Sequence, residues 1–161
     1  MFIATSKCSF KCEKEDCNVK CQNSKIVNQP NVIISIDTII RRYLTNSITR
    51  AIVFGGLEPF DQIDELLIFI KEFRKKSSDD IVIYTGYTEE ELSNKTFIIN
   101  NDNKSYLDVI LEMNKTIFQS DINNPSIIIK YGRFKSTGDG KYDDILGIHL
   151  ASSNQYSKLY K

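Results

Sequence analysis

Nothing in this chain is long and apolar enough to cross a membrane: no run approaches the ~20 apolar residues that a spanning helix needs. Charge of one sign is missing too. Lys and Arg total 21, Asp and Glu total 21, and the formal net charge is zero. No global field therefore favours nucleic acid or a membrane surface. Histidine occurs once, at position 149. That leaves little for a catalytic Cys–His pair, and His149 is expected to line a strand. Cysteine is absent after residue 21. No internal repeat is visible, and no low-complexity tract beyond an Asn/Lys bias. The start, MFIATSKCSF, has too short an apolar stretch for a signal peptide and no cleavage pattern. The expectation is a cytoplasmic protein in a reducing compartment, where disulfides are disfavoured.

What is present is one domain's worth of chain. At 161 residues and 41% hydrophobic content, it buries a core without disulfide staples. Phe2 to Ala4 reads as a first strand. Residues 22 to 32 are polar, carry Pro30, and read as loop. Ser35 reads as an N-cap, followed by Ile36, Ile39, Ile40, Tyr43 and Leu44 at helical core spacing. Residues 51 to 54, AIVF, are a continuous apolar run ending at Gly55-Gly56, as in a buried parallel strand. Asp61 reads as the next N-cap, with Ile63, Leu66, Leu67, Ile70 and Phe73 as the buried stripe. The basic residues Lys71, Arg74, Lys75 and Lys76 then read as the solvated end of that helix.

Residues 81 to 84, IVIY, form the next strand, and Thr88 caps a short acidic helix. Over 94 to 126 the signal weakens. Phe97 to Ile99 reads as a strand and Tyr106 to Met113 as a helix. Ile127 to Lys130 is a further strand, 136 to 142 a turn, and Ile145 to Leu150 the last apolar run. Strand, glycine, helix, repeated, is the rhythm of a β/α unit. Loops after strand C-termini carry the chemistry in such folds.

All four cysteines fall within residues 7 to 24, KCSFKCEKEDCNVKCQNS, as C-x3-C-x4-C-x3-C. Clustered cysteines in a reducing compartment bind metal or do redox chemistry. Zinc sites usually pair C-x2-C knuckles, and every gap here is longer. An iron–sulfur cluster takes thiolates as well, and three cysteine ligands leave one iron open. The Gly55-Gly56 pair lets a ligand approach the backbone closely. Pro59, after Glu58, suits the start of a helix.

CSFKC, CQNS, IVFGGLEPF, IVIYTGYT and LASSNQYS follow one another in the order found in radical S-adenosylmethionine (radical SAM) activating enzymes. The chain most resembles the small activase of anaerobic ribonucleotide reductase. The resemblance runs from residue 2 to 157. It implies an α/β fold, a partial (open) β/α barrel of the radical SAM type, in one domain over 1–161 with an N-terminal cysteine loop at 7–24. Cys8, Cys12 and Cys21 are implied as ligands of a 4Fe-4S cluster, with Cys17 as the alternative ligand. Gly55, Gly56, Glu58, Thr85 and Asn23 are implied as contacts of S-adenosyl-L-methionine. Two departures stand out. The family's usual cysteine spacing is C-x3-C-x2-C, whereas Cys21 comes nine residues after Cys12. Leu57 is inserted between Gly56 and Glu58, which bears on whether Glu58 reaches the methionine amino group.

The implied activity is reductive cleavage of S-adenosylmethionine to methionine and a 5′-deoxyadenosyl radical, which generates a glycyl radical on a partner enzyme. The implied partners are a glycyl-radical enzyme, an anaerobic ribonucleotide reductase, and an electron donor such as flavodoxin or ferredoxin, with neither nucleic acid nor membrane. Two other readings stay open: a radical SAM enzyme with another substrate, and a non-catalytic zinc- or iron–sulfur-binding interaction module.

Overall fold

The computed structural model describes residues 1–15, 20–99, 102–115, 125–136 and 139–161. In chain order the elements are β1 (Phe2–Thr5), α1 (Lys11–Glu15), α2 (Ser24–Val27), α3 (Ile36–Leu44), β2 (Ala51–Gly56), a 3-10 turn (Pro59–Gln62), α4 (Ile63–Arg74), β3 (Asp80–Tyr84), α5 (Glu89–Asn94), β4 (Thr96–Ile99), β5 (Asp102–Ser105), α6 (Tyr106–Lys115), β6 (Ile127–Tyr131), β7 (Lys141–Asp143), β8 (Ile148–Leu150) and β9 (Tyr156–Tyr160). Among the described residues no helix is long and apolar enough to cross a membrane.

Five strands form one sheet in the order β1-β2-β3-β6-β9. The first four run parallel, with Thr5 opposite Gly56, Val53 opposite Val82, and Tyr84 opposite Lys130. β9 closes the far edge antiparallel to β6. Parallel strands share one C-terminal edge. The cysteine loop, the Gly56 turn, the Thr85-Gly86 turn and the loop after Tyr131 all leave the sheet there.

Strand residues alternate between faces. Ile52, Phe54, Ile81, Ile83, Ile127, Ile129 and Tyr131 belong to the core shared with the helices. Phe54 meets Phe69 of α4 edge-on, and Tyr43 of α3 meets Phe73 of α4 in the same way. By the same alternation Val53, Val82, Tyr84, Ile128 and Lys130 take the opposite face. One face of the sheet is thus packed on helices, and the other carries polar groups at its C-terminal edge.

The helix signals operate largely as the sequence suggests. Ser35 Oγ accepts the Thr38 N–H at 3.2 Å. Thr88 and Glu91 form a capping box at the start of α5. The apolar stripe of α4, Ile63 to Phe73, is fully buried. Four expectations need correction. Leu44 is 49% exposed, because α3 ends there and turns its last residue away from the core. Residues 22–32 contain the short helix α2, and the cysteine loop contains α1. Asp61 does not cap α4. Glu58 caps the 3-10 turn instead, accepting the Phe60 N–H at 3.1 Å, with Pro59 at the turn's first position. Arg74 is not a solvated helix end; it is completely buried. Its guanidinium donates to Asn114 Oδ1 at 2.7 Å, to the Asp79 carbonyl at 2.7 Å and to the Ser126 carbonyl at 3.0 Å. The C-terminal YSKLY, for which the sequence set no expectation, becomes β9. The 136–142 turn lies partly outside the described residues, and its end, from Lys141, pairs as β7.

Candidate functional site

At the C-terminal edge of the parallel strands lies a cavity of about 310 Å³. Cys8, Cys12 and Cys21 line it, together with Asn23, Gly56, Leu57, Glu58 and Thr85. These residues come from three separate loops, and the parallel register is what brings them together. Gly55 is not on the lining. A Cβ there would meet the Phe2 ring at 2.9 Å, so its bareness serves packing between β1 and β2. Gly56 has φ +83°, a left-handed conformation that glycine adopts without steric cost. Cys17 lies outside the described residues.

Several bonds hold the cysteine loop over the sheet. Asp61 accepts the Ser9 N–H at 2.5 Å and the Tyr87 hydroxyl at 2.6 Å. Here it joins the cysteine loop to the turn after β3, which is why it is unavailable as a helix cap. Glu58 N–H donates to the Lys7 carbonyl at 2.9 Å. Glu13 of α1 accepts the Cys21 N–H at 2.8 Å, tying both ends of the loop together. Phe10, between Cys8 and Cys12, has φ 53°, a left-handed turn uncommon for a bulky residue. Asn23 donates its side-chain N–H to the Gly56 carbonyl, which links the third cysteine's loop to the glycine turn.

Glu58 is 7% exposed. Its Oε1 accepts the Thr85 hydroxyl at 2.7 Å and its Oε2 the Gly86 N–H at 2.8 Å. Burial pushes its carboxyl up to about 7, against hydrogen bonds that favour the ionised form. Three of the roughly four acceptor positions of this carboxylate are filled by the chain, which leaves room for one further donor. The inserted Leu57 is buried and shares the cavity wall.

Lys130 also lines the cavity, and no sequence reading had singled it out. Burial lowers its ammonium to about 8, with Glu58 and Cys12 opposing that shift. The available signal was a lone charge at the end of the run IIIK. Gln155 and its neighbours were noticed only as part of a resemblance. In the fold Gln155 donates to the Gly132 carbonyl at 3.1 Å, and Asn154 donates to the Arg133 carbonyl at 2.9 Å. This segment anchors the loop after β6 against the cavity. His149 lies on β8, exposed, at the cavity's edge.

Cys8, Cys12 and Cys21 are free thiols, each partly buried. Burial raises the Cys8 thiol to about 11, and burial followed by Cys21 raises the Cys12 thiol, with Arg133 opposing. Electron-poor metal is what stabilises such thiols as thiolates. Among the described residues no three His, Cys, Asp or Glu side chains converge as the ligands of a single ion would. A cluster takes one thiolate per iron, so its ligands stand further apart. Three free cysteines on one cavity wall suit that donor set.

Neither a search of curated proteins nor a search of solved structures returns a match. A family description, 4Fe-4S single cluster domain, matches residues 1–129. The match takes in the whole cysteine loop, the glycine turn and β3. It ends within β6, whose antiparallel neighbour β9 lies beyond it. With three free thiols lining one cavity and most of the length matched, the chain belongs to the 4Fe-4S single cluster domain family and is an iron–sulfur protein.

Proposed function

We propose that this iron–sulfur protein is a radical SAM enzyme that generates a glycyl radical on a partner, an anaerobic ribonucleotide reductase. The observation that carries the reading is the shared cavity, lined by Cys8, Cys12 and Cys21 together with Gly56, Glu58, Thr85 and Asn23. The chemistry supplied there, with cluster and S-adenosylmethionine bound, is one-electron cleavage of the sulfonium–carbon bond to methionine and a 5′-deoxyadenosyl radical, which takes a hydrogen atom from a glycine Cα.

Cys8, Cys12 and Cys21 would hold the cluster, leaving one iron without a cysteine. Glu58 would accept the methionine ammonium with its remaining acceptor position. Thr85 and the Gly86 N–H fix the Glu58 carboxylate in place. Lys130, in the same cavity, supplies a cation for the methionine carboxylate. Gly56 lines the cavity, and a Cβ there would be strained at φ +83° and would meet Ala4 at 3.1 Å. Helices on one face of a parallel sheet and a cavity against the other support an open-barrel reading of the fold. A cavity open at the sheet edge suits a protein loop as substrate better than an enclosed small molecule.

The partner is tested by mixing the reconstituted protein with a candidate glycyl-radical enzyme, S-adenosylmethionine and a reductant (flavodoxin, ferredoxin or a chemical one) without oxygen. Electron paramagnetic resonance should show a glycine-centred doublet on the partner. Cofactor cleavage with no partner radical across the candidates would move the reading to a radical SAM enzyme with another substrate.

A further inference from the structure

Arg133 stands against the far side of the cysteine loop. Its guanidinium pairs with Glu91 at 2.5 Å and Glu15 at 3.0 Å, and its side chain is 12% exposed. Yet its Nε is buried with no acceptor among the described residues. Orphaned buried donors are rare and ask for a partner. The nearby chemistry says what that partner is. A Cβ added at Gly86 would lie 3.6 Å from Cys12 Sγ and 3.7 Å from Arg133 Cγ, so the two side chains flank one point. They also line one small cavity of about 20 Å³ beside Gly86, too small for a ligand of its own. The next residue, Phe134, hydrogen-bonds Cys12 through its backbone N–H.

We propose that Arg133 is a positioning residue for the cluster, its Nε–H donating to a cluster sulfide beside Cys12 and its charge raising the reduction potential. Cluster sulfide is an anionic acceptor, and hydrogen bonds to sulfur and local charge are established levers on cluster potentials. Reduction adds negative charge, which a neighbouring cation favours. The proposal rests on Cys12 being a cluster ligand and does not need S-adenosylmethionine.

The test uses the full chain, reconstituted anaerobically with iron and sulfide, without S-adenosylmethionine. Wild type, Arg133→Met, Arg133→Lys, Glu91→Gln and Cys12→Ala are compared. Circular dichroism reports the fold, iron and sulfide analysis reports cluster content, and a redox titration gives the midpoint potential. Arg133→Met should shift the potential to more negative values, or lose the cluster while the fold persists. Arg133→Lys should recover part of the shift, since it restores charge without the Nε–H. Glu91→Gln, which removes one of the two carboxylates beside the guanidinium but keeps the guanidinium, should shift the potential to more positive values or leave it near wild type. If Arg133→Met does not fold, Arg133→Lys carries the test, with a more negative potential expected. An unchanged potential in the folded Arg133 variants overturns the proposal, as does an equal shift to more negative values in Glu91→Gln. Full iron and sulfide in Cys12→Ala overturns it as well, by removing the ligand on which it acts.

Discussion

Glu58 combines two demands at one residue. It caps the 3-10 turn that starts α4, and it lines the cavity of the cysteines. Its carboxyl is raised from 4.5 to about 7 chiefly by burial. A carboxyl harder to ionise when folded favours the fold while it is protonated. That contribution is complete below pH 4.5 and is lost as the pH rises through about 7. In cluster-free protein, wild-type stability relative to Glu58→Gln should therefore fall across that window, by at most about 3 kcal/mol. Denaturant titrations at several pH values measure it, and a pH-independent difference would contradict the burial argument. The cysteines give a second test at this scale. Cys8→Ala, Cys12→Ala and Cys21→Ala should each abolish the cluster, whereas Cys17→Ala should largely keep it. Iron and sulfide analysis decides. Loss with Cys17 and retention with Cys21 would reverse the ligand choice.

At the scale of elements, Arg74 joins α4 to α6 and to the start of β6. Its bonds to Asn114 and Ser126 run between segments far apart in sequence, and its bond to the Asp79 carbonyl closes the turn after α4. Arg74→Met would strand the Asn114 side chain and two carbonyls, and should cost about 2–4 kcal/mol. Equilibrium unfolding that stays within experimental error of wild type would show the bonds to be replaced by water. Nothing local in the sequence announces this residue, because a cation in the last helical turn looks like a solvated one. α3 and α4 were legible for the opposite reason: their apolar spacing is set within one element. The continuous runs of β2, β3 and β6 were legible too. β9 was not, since an edge strand reading Tyr-Ser-Lys-Leu-Tyr buries only part of one side. α1, at five residues, is too short for any periodicity to show.

For the whole molecule, the informative feature is the asymmetry of the sheet. Helices pack one face, and the C-terminal edge of the other face gathers cysteines, a buried carboxylate and a buried ammonium. The sequence revealed the chemical types at this site, through CSFKC and GGLEP. It could not reveal Lys130 or Arg133, whose roles exist only once β6 lies beside β3. It also gave Gly55 a place at the ligand, where the fold has it facing Phe2. The iron–sulfur family accounts for the cysteine wall. Under the proposed function, Glu58, Thr85 and Lys130 of the same cavity would hold a zwitterionic cofactor. The measurement that bears most directly on that account is product formation. Reconstituted protein is incubated with S-adenosylmethionine and dithionite without oxygen, and 5′-deoxyadenosine and methionine are quantified by chromatography. The account predicts both products in equal amounts, dependent on the cluster and diminished in Glu58→Gln. A fully loaded cluster that binds no S-adenosylmethionine and yields no 5′-deoxyadenosine would contradict it.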